Sequence, residues 1–276
     1  MSQSYLCASC NEVDYKKPIL VSNHNLPEWL SKKNYVYEFI DQEKKLKSKK
    51  PKQYSQILHL QLNKHHKHKY ILYWASKKCY NNLIVNDAKK AYGDFSNSGI
   101  SKIDENGVVS LYFDCPQNYS TIRQGNTIKE IFYKHIHFVI SDNDIWQKDK
   151  IYTHIVNCTI DYKELLHFMK EKCCLLINSL PHNYYAKEHI PNSFNLTYKD
   201  VKTMDVSKWV SDVVELNYPK LNKFIEKYSV YSIPIIIYCE NENCDQSHKC
   251  MYELYKKGFV NIKLYLKGME EYRKKN

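Results

Sequence analysis

Arginine is almost absent from this chain, with 2 residues against 39 lysines in 276, and glycine (6) and proline (8) are also scarce. So little glycine and proline excludes collagen-like and low-complexity architectures. No run approaches the roughly 18 consecutive apolar residues of a membrane-spanning helix. The polar stretch Met1 to Tyr5 has none of the layout of a secretory leader, so an intracellular location is expected. With no leader, the ten cysteines read as reduced thiols rather than a disulfide framework, and cysteine chemistry is expected before stapling. The missing arginine also weakens any reading of the +11 net charge as a nucleic-acid surface, because a groove built for phosphate would be expected to use bidentate guanidinium contacts. The lysine excess, together with 25 tyrosines, has the look of A/T-rich codon usage. Nothing signals a cofactor.

What is present suffices for two domains with real cores. Up to Cys158 there are 23 basic and 15 acidic residues, and after it 18 and 15, so most of the net charge lies in the first half. That half reads as strands. Leu58, Leu60 and Leu62 alternate with polar residues, Tyr70 to Trp74 is aromatic and aliphatic, and Val108 to Phe113 and Ile131 to Ile140 are rich in β-branched and aromatic residues. Asp104-Glu105-Asn106-Gly107 and Asn97-Ser98-Gly99 read as turns, and Glu43 to Lys52 as a solvated segment. An all-β antiparallel sandwich over residues 1–158 is the expectation.

From residue 159 the pattern alternates helix and strand: a helix over Tyr162 to Lys172, a strand over Cys174 to Ile177, a helix over Lys220 to Tyr228, and a strongly apolar strand from Ile233 to Tyr238. A helix from Gln246 stopped at Gly258, a strand over Ile262 to Leu266 and a helix from Gly268 to Lys275 follow. Such alternation predicts a parallel sheet flanked by helices over residues 159–276. In such sheets ligands bind where strand carboxyl ends meet helix amino ends. The strongest junction is Pro234 to Ser247, in which a buried strand delivers Cys239 into the polar loop Glu240-Asn241-Glu242-Asn243-Cys244-Asp245. Backbone N–H groups and the positive end of the following helix would favour the Cys239 thiolate.

At this junction the sequence resembles the rhodanese superfamily, over roughly residues 160 to 276. The blocks that carry the resemblance are Leu175 to Asn178, Tyr185 to Asn195, Pro234 to Cys239, Leu254 to Ile262 and Lys267 to Tyr272, in that order. The resemblance implies a sulfurtransferase: Cys239 takes a sulfane sulfur as a persulfide and passes it to a thiol acceptor, which is covalent nucleophilic catalysis. It assigns the substrate-binding loop to Glu240, Asn241, Glu242, Asn243, Cys244 and Ser247, with loop N–H groups on the terminal sulfur and Ser247 starting the helix. Cys244 could resolve an oxidised Cys239 through a loop disulfide, whereas Cys250 reads as an inert helix-side thiol. The family's usual Asp and Arg after the first strand are replaced by Asn178 and Leu180. Glu240, Glu242 and Asp245 surround the anion site, so thiosulfate capture is expected to be weak. Asp245 also stands where rhodanese-fold phosphatases carry their arginine, which argues against phosphoryl chemistry. The rival to an enzyme is a catalytically inactive rhodanese-fold module that binds a protein partner.

In the first half, Gly107 to Pro116 with Tyr133 to Phe138 is faintly similar to intradiol-dioxygenase-like β-sandwiches, in which Tyr and His hold iron. His135 and His137 fall on one strand face, as a metal pair requires, with Tyr119 and Tyr133 as partners. An ordinary sandwich strand is the preferred reading. Cys7 and Cys10 have the spacing of half a zinc site, with His24 a third donor, but no second pair exists. His65, His66 and His68 read as a solvated hairpin tip. The basic first half is a candidate for steering an acidic protein partner.

Overall fold

The computed structural model describes residues 18–20, 35–78, 84–122 and 129–276. Cys7, Cys10 and His24 lie outside the described residues. The chain divides into two units, Met1–Val156 and Asn157–Asn276.

The first unit holds strands β1 (Ile19–Leu20), β2 (Gln56–Gln61), β3 (Tyr70–Ala75), β4 (Ser98–Lys102), β5 (Val108–Phe113), β6 (Ser120–Ile122), β7 (Lys129–Ile131), β8 (His135–Asp142), β9 (Ile145–Trp146) and β10 (Tyr152–Ile155). Helices α1 (Tyr35–Gln42) and α2 (Ala88–Tyr92) interrupt them. The main sheet runs β1-β10-β8-β3-β4 with β9 folded back on β8, and all these pairings are antiparallel. β2 pairs β5, and β6 pairs β7, in two further antiparallel ladders. The expected antiparallel sheets are therefore present, and helices accompany them. β8 is buried from His135 to Ser141 because it lies between β3 and β10. Around it, Phe39 of α1 meets Trp74 of β3 edge-on, with ring centroids 5.9 Å apart.

The two expected turns fare differently. Asp104 accepts from Asn106 N at 2.9 Å and Val108 N at 2.7 Å, and Gly107 takes a left-handed φ of 82°, so the chain turns there into β5. Ser98 and Gly99, by contrast, lie in β4. Gly99 is needed for a close approach, since a Cβ there would meet the Tyr73 hydroxyl and, at 2.7 Å, the Lys49 carbonyl oxygen. His65 and His66 sit in a 3-10 turn at Lys64–His66 between β2 and β3, with His68 just beyond it.

The second unit holds β11 (Cys158–Thr159), α3 (Tyr162–Glu171), β12 (Leu175–Asn178), α4 (His182–Lys187), β13 (Phe194–Asn195), α5 (Tyr198–Thr203), α6 (Val206–Asn217), α7 (Pro219–Lys227), β14 (Ile235–Tyr238), α8 (Gln246–Lys256), β15 (Ile262–Tyr265) and α9 (Gly268–Lys275). The sheet is wholly parallel, in the order β11-β15-β14-β12-β13, and helices flank it. β14 is central and every one of its residues is buried. Side-chain alternation divides it: Ile236 and Tyr238 join Leu176, Leu165, Ile190, Tyr265 and Met269 in one core cluster, so Ile235 and Ile237 point to the other face. α3 starts at Asp161, whose carboxylate accepts from Glu164 N at 2.8 Å while Glu164 reaches back to Asp161 N, a reciprocal capping box.

Among the described cysteines, Cys173, Cys174, Cys239, Cys244 and Cys250 are free thiols. Cys115 and Cys158 are disulfide-bonded, which corrects the expectation of uniformly reduced thiols. Among the described residues, no helix is long and apolar enough to cross a membrane.

Candidate functional site

Cys239 stands directly after β14, at the carboxyl end of the central strand, and α8 begins seven residues later. Its backbone is held from both sides. Ser179, just past the end of β12, donates from N (3.0 Å) and Oγ (2.9 Å) to the Tyr238 carbonyl. The first turn of α9 donates to the next two carbonyls, Met269 N to Cys239 O at 3.0 Å and Glu270 N to Glu240 O at 2.9 Å. Gly268 allows this docking: its φ is 53°, and a Cβ there would overlap Cys239 O and approach Glu240 O to 2.7 Å. Tyr238 ties the strand end to the segment Tyr185 to Asn195, because its hydroxyl accepts from Ile190 N at 2.9 Å and bonds Ser193 Oγ at 2.8 Å.

The Cys239 side chain is wholly buried. Its thiol donates toward the Cys244 carbonyl at 3.2 Å and lies 3.3 Å from Ser247 Oγ and 3.7 Å from the Asn241 carbonyl. Burial pushes the thiol pKa up to about 11; the Ser247 hydroxyl opposes that rise, and the neighbouring Cys244 thiol adds to it. The expected thiolate cradle is therefore only partly formed in this conformation: the backbone N–H and the hydroxyl of Ser247 favour the charged sulfur, and burial outweighs them. Two of the loop amides are already engaged, Cys244 N with the Asn241 carbonyl (3.1 Å) and Asn243 N with Asn241 Oδ1 (3.1 Å), while carbonyl oxygens face the sulfur. These two carbonyl oxygens favour S–H over S⁻.

The remaining loop residues surround this sulfur. Asn241 Nδ2 donates to Glu270 at 3.0 Å, binding the loop to α9 a third time. Glu240 meets Arg273 at 3.2 Å, and Arg273 also holds Glu188 at 2.9 Å. Asp245 pairs with Lys249 at 2.7 Å, which draws its carboxyl below the ordinary range. The acidic rim expected from the sequence is thus partly neutralised by Arg273 and Lys249. Arg273 is one of only two arginines, and sequence separation hid its link to Glu240. Ser247 is buried as the second residue of α8 and turns toward the sulfur. Cys250 is fully buried, donates to the Leu196 carbonyl at 3.3 Å, and has its thiol pKa raised by burial.

In the first unit, His135 and His137 share a face of β8, with their Nε2 atoms 3.1 Å apart. Tyr119 joins them through its hydroxyl, 3.2 Å from His135 Nε2. Tyr133 contributes its carbonyl, which accepts from His135 Nδ1 at 2.6 Å. Tyr92 of α2, which sequence reasoning missed, places its hydroxyl 3.1 Å from both His135 Nε2 and the Tyr119 hydroxyl. Burial pushes the His135 pKa down to about 4 and lowers that of His137 as well.

Comparison with known proteins locates one family in the chain: residues 161–275 match the model of the rhodanese-like domain. Among solved structures, the BH2092 protein of Bacillus halodurans is similar at 20% identity over 44% of this chain and 74% of its own, with a TM-score of 0.31. The human single-domain sulfurtransferase TSTD1 is similar at 12% identity over 44% of this chain and 99% of its own (TM-score 0.30). An uncharacterized protein from Saccharomyces cerevisiae is similar at 15% identity over 44% and 93% (TM-score 0.33). No curated protein matches the chain.

Proposed function

Because residues 161–275 form a rhodanese-like domain, we propose that the chain is a sulfurtransferase that carries sulfane sulfur on Cys239. The observation that carries this reading is the placement of a free thiol at the carboxyl end of the central parallel strand, with its backbone carbonyl and the next one held by the N-terminus of α9. In the first half-reaction the Cys239 thiolate attacks the outer sulfur of a donor persulfide, R–S–S–H. The S–S bond breaks, RS⁻ leaves and takes up the proton that the Cys239 thiol released on becoming the thiolate, and Cys239–S–SH remains. In the second, an acceptor thiolate attacks the terminal sulfur, forms a new persulfide and returns the electron pair to Cys239.

The added sulfur needs the space now taken by the Cys244 carbonyl, so loop 240–245 opens when sulfur is loaded. Opening also frees the amides of residues 243 and 244 from Asn241 to face the terminal sulfur. Cys244 then lies close enough to intercept an oxidised Cys239. The basic first unit, proposed as a sandwich-like recognition module, would steer an acidic donor or acceptor protein, and the setting is proposed to be intracellular. The test is intact-mass spectrometry of the full chain after incubation with a low-molecular-weight persulfide. A gain of about 32 Da, one sulfur atom, that maps to Cys239 and is lost in Cys239→Ser is the expected result; loading at other cysteines with Cys239 unmodified overturns it.

One observation favours a second reading, a rhodanese-fold interaction module without turnover: Cys239 is sealed from solvent with carbonyl oxygens around its sulfur. Under that reading no persulfide forms on Cys239 at any donor concentration, and the Cys239→Ser variant keeps full affinity for whatever protein the chain binds.

A further inference from the structure

The four side chains gathered on β8 do not make an ordinary hydrogen-bond network. His135 Nδ1 gives its proton to the Tyr133 carbonyl, so His135 Nε2 presents a single in-plane lone pair. One lone pair accepts one good hydrogen bond. Three heteroatoms nevertheless surround that nitrogen at 3.1–3.2 Å: the Tyr92 hydroxyl, the Tyr119 hydroxyl and His137 Nε2. The two hydroxyls are themselves 3.1 Å apart. On the far side of His137, Nδ1 lies 2.7 Å from Thr153 Oγ1. Whichever tautomer His137 takes, the inward side of the cluster holds at most three protons, one from each hydroxyl and one from His137, to serve four short contacts.

A cation at the centre resolves the crowding. With metal–ligand bonds of about 2.0–2.1 Å, ligands subtending 90° stand about 2.9 Å apart and ligands subtending a tetrahedral angle about 3.4 Å. Four of the six donor–donor edges, all those among Tyr92, Tyr119 and His135 and the one from His135 to His137, are 3.1–3.2 Å and fall between those values. The outward nitrogens are anchored as metal-bound histidines require, with His135 on a carbonyl and His137 on a hydroxyl, so each ring turns Nε2 inward. Two histidines supply half of the donors and phenols complete the set.

We propose that Tyr92, Tyr119, His135 and His137 form a closed structural site for a divalent first-row transition metal ion. The charge balances: two neutral imidazoles and two phenolates around a dication leave a buried site with no net charge, which burial demands. Each phenol releases its proton to solvent on binding, so one metal ion enters and two protons leave. All four residues are buried, with Tyr92 at 0% and His135 the most exposed at 4%, so no coordination position opens to a substrate. The site ties α2 and the segment before β6 to β8 and holds the unit together.

The experiment titrates the full chain, freed of metal by a chelator, with Co²⁺ and Zn²⁺ in weak buffer, and records stoichiometry, affinity and proton release. In wild type one ion should bind with release of two protons. Tyr119→Phe keeps the ring stacked on Phe132, with centroids 5.0 Å apart, so the core is preserved while one donor goes. That variant should release one proton per metal and bind at least about tenfold more weakly, and His137→Ala should lose binding altogether. The double variant Cys7→Ser/Cys10→Ser should behave as wild type in both respects. Absence of binding in wild type, unchanged proton release in Tyr119→Phe, or loss of the metal in the cysteine variant overturns the assignment; the Tyr119→Phe arm decides even if His137→Ala does not fold.

Discussion

The raised pKa of Cys239 makes a quantitative prediction about its reactivity. With the thiol pushed up to about 11, burial being the largest cause, only about one molecule in ten thousand carries the thiolate at pH 7. Alkylation of Cys239 should therefore be slow at neutral pH and rise about tenfold for each pH unit up to pH 10. Cys173 and Cys244, which are only half-buried free thiols, should be labelled ahead of it. Removing the Ser247 hydroxyl withdraws a donor to the charged form, worth about one further pKa unit. The scarcer thiolate is more nucleophilic, so Ser247→Ala should slow labelling only about threefold. Because the native state favours the neutral thiol, its contribution to stability is complete below the unfolded value of about 8.5 and is lost as pH climbs toward 11, at a cost of about 3 kcal/mol. The assay is iodoacetamide labelling across pH with peptide-resolved mass spectrometry. A rate for Cys239 that levels off below pH 8, or labelling of Cys239 before Cys244, would refute the carbonyl-lined setting described above.

Further outcomes are expected from single substitutions. Gly268→Ala puts a Cβ against two backbone carbonyls at a left-handed φ and should destabilise the second unit by about 2–4 kcal/mol in urea unfolding, with persulfide loading reduced in parallel; an unchanged midpoint would mean that α9 does not dock on the loop. Tyr238→Phe strands the buried Ile190 N–H and should cost about 1–3 kcal/mol in the same measurement. Asp161→Ala breaks the capping box of α3 and should cost about 1 kcal/mol, whereas Asp161→Asn, which still caps, should cost less than half of that.

Local signals were read well from the chain and long-range ones were not. The run Ile233 to Tyr238 is apolar throughout because β14 is sandwiched between β12 and β15, and that burial shows in composition alone. Thr159-Ile160-Asp161 offers the start of α3 by an equally local signal, a capping carboxylate, while the return bond from Glu164 is visible only in the structure. Helix α6 went unread although Val206, Val210 and Val214 recur every four residues and are all buried, since β-branched residues at those positions resemble a strand. Asn97-Ser98-Gly99 carries turn chemistry, yet tertiary contact uses Gly99 for the approach of Tyr73 instead. Within the site, the position of Cys239 follows from its strand, but its electrostatics depend on where loop amides point. Asn241 decides that, and no spacing rule records it. Arg273 reaches Glu188 and Glu240 from the last helix, and Tyr92 reaches His135 from a short helix, pairings that tertiary folding alone creates.

The parallel order of the second sheet also sets a timetable for the nascent chain. β12 is synthesised well before β14, its partner, and β15 after it, so the central strand waits for a neighbour on one side. The carbonyls of Cys239 and Glu240 wait longer still, since their donors Met269 and Glu270 follow even β15. During synthesis, therefore, Cys239 leaves the ribosome ahead of the groups that will enclose it. For that interval its sulfur is an ordinary accessible thiol, open to oxidants and electrophiles that the folded domain excludes, and slow translation between Tyr238 and Met269 would lengthen the exposure.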